Sequence, residues 1–210
     1  LVKWPFDNAE FVLFDSKVRH ELQNSAYPRL AQKAKEMLVF LQDYHDIQTN
    51  KIFSWKDFCN NFIQNQNSLD SIANYLKEKI SEIEFAEYMR IAKHIIFENI
   101  RVFQTVLALT NENILQVGRI VSASHRSLKN DYQVSHWVCD AIVDILSDLE
   151  GVYGSRIVGA GFGGNVLAIV SKNHKDNIIT QADEKFKNTY NRDLPARIVF
   201  PSDGAKCIRI

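Results

Sequence analysis

Six of the eight glycines in this chain fall within residues 151–164, in the run GVYGSRIVGAGFGG, and the apolar β-formers NVLAIV follow directly. Glycine tolerates positive φ and lets the backbone approach other groups closely. Such a concentration in an otherwise glycine-poor chain marks a tight turn, a phosphate-sized concavity, or both. Gly159, Gly161 and Gly164 formally satisfy the dinucleotide fingerprint G-x-G-x-x-G, but that fingerprint requires a strand before the glycines and a helix directly after them. Here residues 165–170 form a β-rich run, so the unit reads as strand (156–158), glycine turn, strand (166–170). No Gly-Lys-Ser/Thr follows, which removes the P-loop reading. Taken alone, the hairpin reads first as a glycine-lined turn without a ligand.

The remaining sequence narrows the partners. Lys and Arg together number 25, as do Asp and Glu, so no basic excess points to nucleic acid or an anionic membrane, and any anionic ligand has to be held locally. A content of 46% apolar residues gives ample core for 210 residues, while no apolar run approaches membrane-spanning length. The N-terminal LVKWPFDNAE has no signal-peptide organisation, and the expected compartment is the cytoplasm. Cys59, Cys139 and Cys207 are odd in number, far apart and without a C-x-x-C pair, which argues for free thiols and against a disulfide framework or a zinc site. The six histidines join no cysteine or carboxylate cluster, so no structural metal is expected. The chain starts at Leu1 and runs almost at once into the strand-like FVLFDS, which suggests one part of a longer polypeptide.

Periodicity predicts a strand at 11–16 and a helix at 30–44, with Ala34, Met37, Leu38 and Leu41 on one face and Pro28 just before it. Ser54 and Asp57 form an approximate capping box for a short helix that breaks at 65–67, and another short helix covers 68–76. A long amphipathic helix is expected at 84–109, a helix opened by Asn111 and running to about 124, and a third long helix at 134–149. A helix over 174–190 and a closing strand over 196–200, before a turn at 202–204, complete the pattern. The order of strand, several helices, two strands, helix and strand predicts an α+β fold with helices packed on an antiparallel sheet.

The segment SHRSLKNDYQVS (124–135), then Asp140, then the glycine run closely resembles the C-terminal signature of galactokinases in the GHMP kinase superfamily. Further resemblances flank it: DSKVRH (15–20), SAYP (25–28), HIIFENIR (94–101) and DGAK (203–206), which together span nearly the whole chain in family order. The resemblance implies that residues 1–210 are a GHMP kinase C-terminal, ferredoxin-like domain. It also implies an activity for the complete protein: transfer of phosphate from ATP, with Mg²⁺, to the anomeric hydroxyl of galactose. The N-terminal domain of the same polypeptide would supply the phosphate loop and catalytic aspartate, whose motifs are absent here, so half a cleft should be inactive alone.

By motif position, Gly159, Gly161, Phe162, Gly163 and Gly164 would line the nucleotide–sugar cleft with backbone N–H groups facing phosphate oxygens, and Tyr27 would touch the sugar. Outside the resemblance, Tyr27 reads as a packing residue. Ser124 is assigned to the nucleotide cleft, with Ser124 and His125 as helix-terminus groups near it or as caps of the turn before Lys129. Glu98, Asn99 and Arg101 read as structural hydrogen-bonding and ion-pairing groups.

Two departures stand out. Where the family has paired arginines after the Tyr-Pro step, this chain has Arg29-Leu30-Ala31, and Asn165 follows the glycine run in place of Cys or another small residue. These departures keep alternatives open: a GHMP kinase of another small alcohol, a catalytically silent sugar- or nucleotide-sensing relative, or an interaction domain that retains the fold.

Overall fold

Alternation along AEFVLFD sends Val12 and Phe14 to one side of a strand and Phe11 and Leu13 to the other, and both sides are used. This strand, β1 (Ala9–Asp15), is central in the computed structural model, which describes residues 2–19, 26–44, 54–62 and 67–201. The helices α1 (Tyr27–Tyr44), α2 (Trp55–Phe62), α3 (Asn67–Lys79), α4 (Glu82–Thr110), α5 (Ile114–Asn130) and α6 (Trp137–Ser147) follow. The chain then forms the hairpin β2 (Val152–Val158) and β3 (Asn165–Ser171), α7 (Lys175–Tyr190) and β4 (Ala196–Val199). The sheet order is β2-β3-β1-β4 and every pairing is antiparallel, as the sequence pattern predicts.

Three apolar clusters hold these elements together. One face of the sheet (Val12, Phe14, Ile157, Val166, Ala168, Val170) packs on Val138, Ile142 and Leu146 of α6 and on Ile178, Ala182 and Phe186 of α7. A second cluster joins α1 to α2, α3 and α4 through Met37, Leu41, Cys59, Ile72, Leu76, Tyr88, Ala92 and Ile96. The third seats Phe6 and Ala9 against Ala108, Val117, Ile120 and Ile169. Each fully buried Ile, Leu or Phe side chain contributes about 1.5–3 kcal/mol, so the first cluster dominates the sheet's stability.

Local signals acted largely as read. Ser54 and Asp57 form the expected box, the Ser54 N–H and Oγ donating to Asp57 Oδ2 at 3.1 and 2.6 Å while the Asp57 N–H donates to Ser54 Oγ at 3.2 Å. Pro28 lies inside the first turn of α1, where its missing N–H costs nothing. Asn113, not Asn111, caps α5, accepting from the Gln116 N–H at 3.0 Å. That helix continues six residues past Ser124, while α6 starts only at Trp137. The intervening 131–136 forms an ordered connection with Gln133 at φ 58°, which local periodicity cannot reveal. Cys59 and Cys139 are free, buried thiols, and burial pushes the Cys59 thiol up to about 11. Cys207, the expected break at 65–66, the turn at 202–204 and the DGAK segment lie outside the described residues.

Candidate functional site

Five of the six positions in the turn between β2 and β3 have positive φ: Gly159, Gly161, Phe162, Gly163 and Gly164, at 93°, 87°, 60°, 139° and 82°. Two neighbouring segments clamp it. On one side the Phe162 N–H donates to the Val134 carbonyl at 2.5 Å, and a Cβ on Gly161 would stand 2.5 Å from that same oxygen. On the other side the Gly164 N–H donates to the Val18 carbonyl at 3.0 Å, and the Gly164 carbonyl accepts from the Ser16 N–H at 3.1 Å. Arg192 Nη2 donates to the Ser16 carbonyl at 3.3 Å and the Asp15 N–H to the Pro195 carbonyl at 2.8 Å, which ties this clamp to the chain leading into β4.

The clamped turn forms a wall of a cavity of about 540 Å³. Gly159, Ala160, Gly161, Gly163, Gly164 and Asn165 line it together with Leu13, Asp15, Arg19 and Arg197. The Gly159, Ala160, Gly161 and Gly163 amides make no backbone hydrogen bond among the described residues, so they remain available to an anion. Arg19 and Arg197, both exposed, add positive charge at the rim. The arrangement therefore suits an anionic group such as a phosphate. Among the described residues Asp15 is the one carboxylate lining the cavity, and no group of three or more His, Cys, Asp or Glu is placed to hold a metal ion. These residues alone are not a ligand set for a divalent cation.

The cavity brings together Gly159, Gly161, Gly163 and Gly164 and leaves other expected site residues elsewhere. Phe162 contributes its backbone to the turn, while its side chain packs on the main core. Tyr27 opens α1, is half-exposed, and does not line the cavity; it stands beside Tyr132, whose phenol is pushed up by burial and then by Tyr27. Ser124 is not at a helix terminus and does not reach the glycine cavity. It is buried in the body of α5, donating to Glu98 Oε2 at 2.8 Å and accepting from Arg156 Nη1 at 2.7 Å. His125 is also mid-helix and buried, its Nδ1 accepting from the Ile157 N–H at 3.4 Å. Because α5 runs on to Asn130, neither residue caps the turn before Lys129.

The structural reading of Glu98, Asn99 and Arg101 agrees with their contacts. Glu98 bridges Arg101, Ser124 and Arg156, while Asn99 Nδ2 donates to the Ile95 carbonyl at 2.8 Å. Burial pushes the Glu98 carboxyl up, but its hydrogen bonds from Ser124 and Arg101 outweigh that and hold it below its ordinary value. Arg29 pairs with Glu87 and Leu30 is buried in the main core, so the Arg29-Leu30-Ala31 departure is absorbed by α1 packing. Sequence reasoning missed Asp15, Arg19 and Arg197 as cavity residues. Asp15 and Arg19 lie in the DSKVRH motif, whereas Arg197 reaches the site only through its register opposite Leu13.

The family model described as "GHMP kinases C terminal" matches residues 105–188. A galactokinase of Thermotoga maritima is 30% identical over 199 residues, covering 95% of this chain and 49% of that protein. A galactokinase of Clostridium acetobutylicum is 33% identical over 147 residues, covering 70% of this chain and 38% of the relative. The chain thus spans about half the length, or less, of the curated relatives it matches. Among solved structures, Lactococcus lactis galactokinase complexed with galactose superposes with a TM-score of 0.71 at 22% identity, covering 94% of this chain and 46% of that one. Mevalonate kinase of L. major in complex with R-mevalonate gives 0.51 at 14%, covering 95% and 45%. No helix among the described residues is long and apolar enough to cross a membrane.

Proposed function

Because the chain carries a GHMP kinase C-terminal domain of the kind found in galactokinases, we propose that it is the C-terminal half of an ATP-dependent galactose kinase. In the complete protein the anomeric hydroxyl of galactose attacks the γ-phosphorus of ATP. The new sugar O–P bond forms as the bond to the β-phosphate oxygen breaks, and the hydroxyl proton passes to a base on the N-terminal half. Phosphoryl transfer is governed by positioning and charge neutralisation, and this half contributes both. Gly159, Gly161, Phe162, Gly163 and Gly164 form the wall against which the nucleotide phosphates lie, Arg19 and Arg197 neutralise charge at its rim, and Tyr27 contacts the sugar. Ser124 enters this reading as a support behind β2. Mg²⁺ bound with ATP would neutralise phosphate charge in the transfer, and its protein ligands would come from the N-terminal half. The reaction takes place in the cytoplasm, where ATP is held.

The observation that carries this reading is the 540 Å³ cavity between the glycine turn and two arginines, with turn amides left unpaired by the backbone. The complete polypeptide, supplied with MgATP and a panel of sugars and small alcohols, should phosphorylate galactose at its anomeric hydroxyl. Turnover of mevalonate or another alcohol without galactose would overturn the substrate assignment, and binding of galactose and ATP without turnover would make the protein a sensor.

A further inference from the structure

The connection between α5 and α6 meets the glycine turn at Val134, whose carbonyl accepts the Phe162 N–H. Three residues earlier in the chain, Asp131 fixes that connection to two helices. Its N–H donates to the Ser127 carbonyl at 2.9 Å, and its own carbonyl accepts from Arg90 Nη1 of α4 at 2.9 Å. Its carboxylate accepts from Lys93 Nζ at 3.0 Å on one oxygen and from Ser127 Oγ at 3.0 Å on the other. With the Ser127 hydroxyl donating to the carboxylate, its oxygen is left to accept from His94 Nδ1 at 3.0 Å, which selects the Nδ1–H tautomer of that buried histidine. The Tyr132 ring then lies flat on His94, with centroids 4.5 Å apart and planes 14° apart.

Beyond Tyr132 the backbone has one course. Gln133 turns it through φ 58°, the Val134 N–H donates to the Leu128 carbonyl at 3.0 Å, and the Val134 side chain is buried. The Val134 carbonyl is thereby aimed at Phe162, with Gly161 pressed against the same residue.

We propose that Asp131 is a positioning residue for the glycine turn: by fastening the connection to Arg90 and Lys93 of α4, it holds the Val134 carbonyl where it shapes the cavity wall. The nucleotide consequence rests on the function proposed above. The positioning itself does not, because it concerns contacts within this chain.

Amide hydrogen exchange on this chain separates the two. In Asp131→Asn, which keeps the side-chain shape and removes the charge, exchange of the Phe162 amide should quicken by about tenfold or more while the α6 core amides of Ile142 and Leu146 stay within about twofold. Lys93→Met, at an exposed lysine, should give a smaller change of the same sign at Phe162 if Asp131→Asn does not fold. Equal change at Phe162 and Ile142, or none at Phe162, would overturn the proposal. In the complete polypeptide, Asp131→Asn should raise the ATP KM several-fold with little change in the sugar KM. A quickened Phe162 amide with an unmoved ATP KM would uphold the positioning role and sink the placement of nucleotide at this turn.

Discussion

Gly118 of α5 and Gly154 of β2 are in backbone contact. A Cβ on Gly118 would stand 2.0 Å from the Tyr153 carbonyl oxygen, and one on Gly154 would stand 2.1 Å from the Gly118 oxygen. The helix can lie this close to the strand only because neither position bears a side chain. Both obstacles are backbone, which cannot rotate away, so Gly118→Ala and Gly154→Ala should each cost about 3 kcal/mol or more, the upper end for overpacking. Urea unfolding of each variant measures this, and a loss below about 1 kcal/mol would show that α5 slides away freely.

The turn glycines separate stability from binding. Gly159 has φ 93° with nothing within 4 Å of an added Cβ, whereas Gly161 has φ 87° and meets the Val134 oxygen at 2.5 Å. Gly159→Ala should therefore cost only the conformational strain, about 1–2 kcal/mol. Gly161→Ala should cost more and also push the turn off Val134, weakening ATP binding in the complete polypeptide. Parallel urea unfolding and ATP titration test the ranking, and equal stability losses would contradict it.

Arg197 is exposed at the cavity rim, so its removal should leave the fold intact. If it meets a nucleotide phosphate, Arg197→Met should raise the ATP KM by about tenfold, the equivalent of roughly 1.5 kcal/mol for a charge-assisted hydrogen bond. Steady-state kinetics on the complete polypeptide, with the melting temperature as control, decide it; an unchanged KM would place the phosphates elsewhere.

His94 makes stability depend on acid. Burial lowers its pKa from 6.5 to about 4; Arg101 and Arg156 push the same way, while Glu98 and Asp131 oppose. The unfolded chain, titrating near 6.5, takes up the proton first as pH falls. The stability present above pH 6.5 is thus lost progressively between 6.5 and about 4, on the order of 3 kcal/mol in all. Urea midpoints across that range should fall more steeply for the wild-type chain than for His94→Gln, since only the former carries this titration. Parallel slopes would mean that His94 is protonated in place without penalty.

Most of the architecture is legible in the sequence, because it follows from short-range rules. The alternation of Phe11 to Phe14, the apolar face of Met37 and Leu41, and the Ser54–Asp57 box each specify local structure without reference to distant residues. The glycine turn is legible for the same reason, since consecutive positive-φ positions leave few residue types able to fill them. Sequence could not divide the six clustered glycines by purpose. Gly159, Gly161, Gly163 and Gly164 shape the cavity, while Gly154 exists for α5 and Gly151 packs against His174.

Long-range placement was decided only by the tertiary structure. The β1–β4 register sets Arg197 opposite Leu13 and so in the cavity, with no motif around it to announce this. Ser124, read by motif as a cleft residue, is instead buried against Glu98 and Arg156, because α5 packs on α4 and β2 and a buried hydroxyl must find its partners there. The glycine run by itself determined that this chain has a tight turn between two strands. The clamps at Val18 and Val134, both distant in sequence, decided its shape and the residues that line the cavity with it, because a turn rich in glycine has little conformational preference until other backbone atoms fix it.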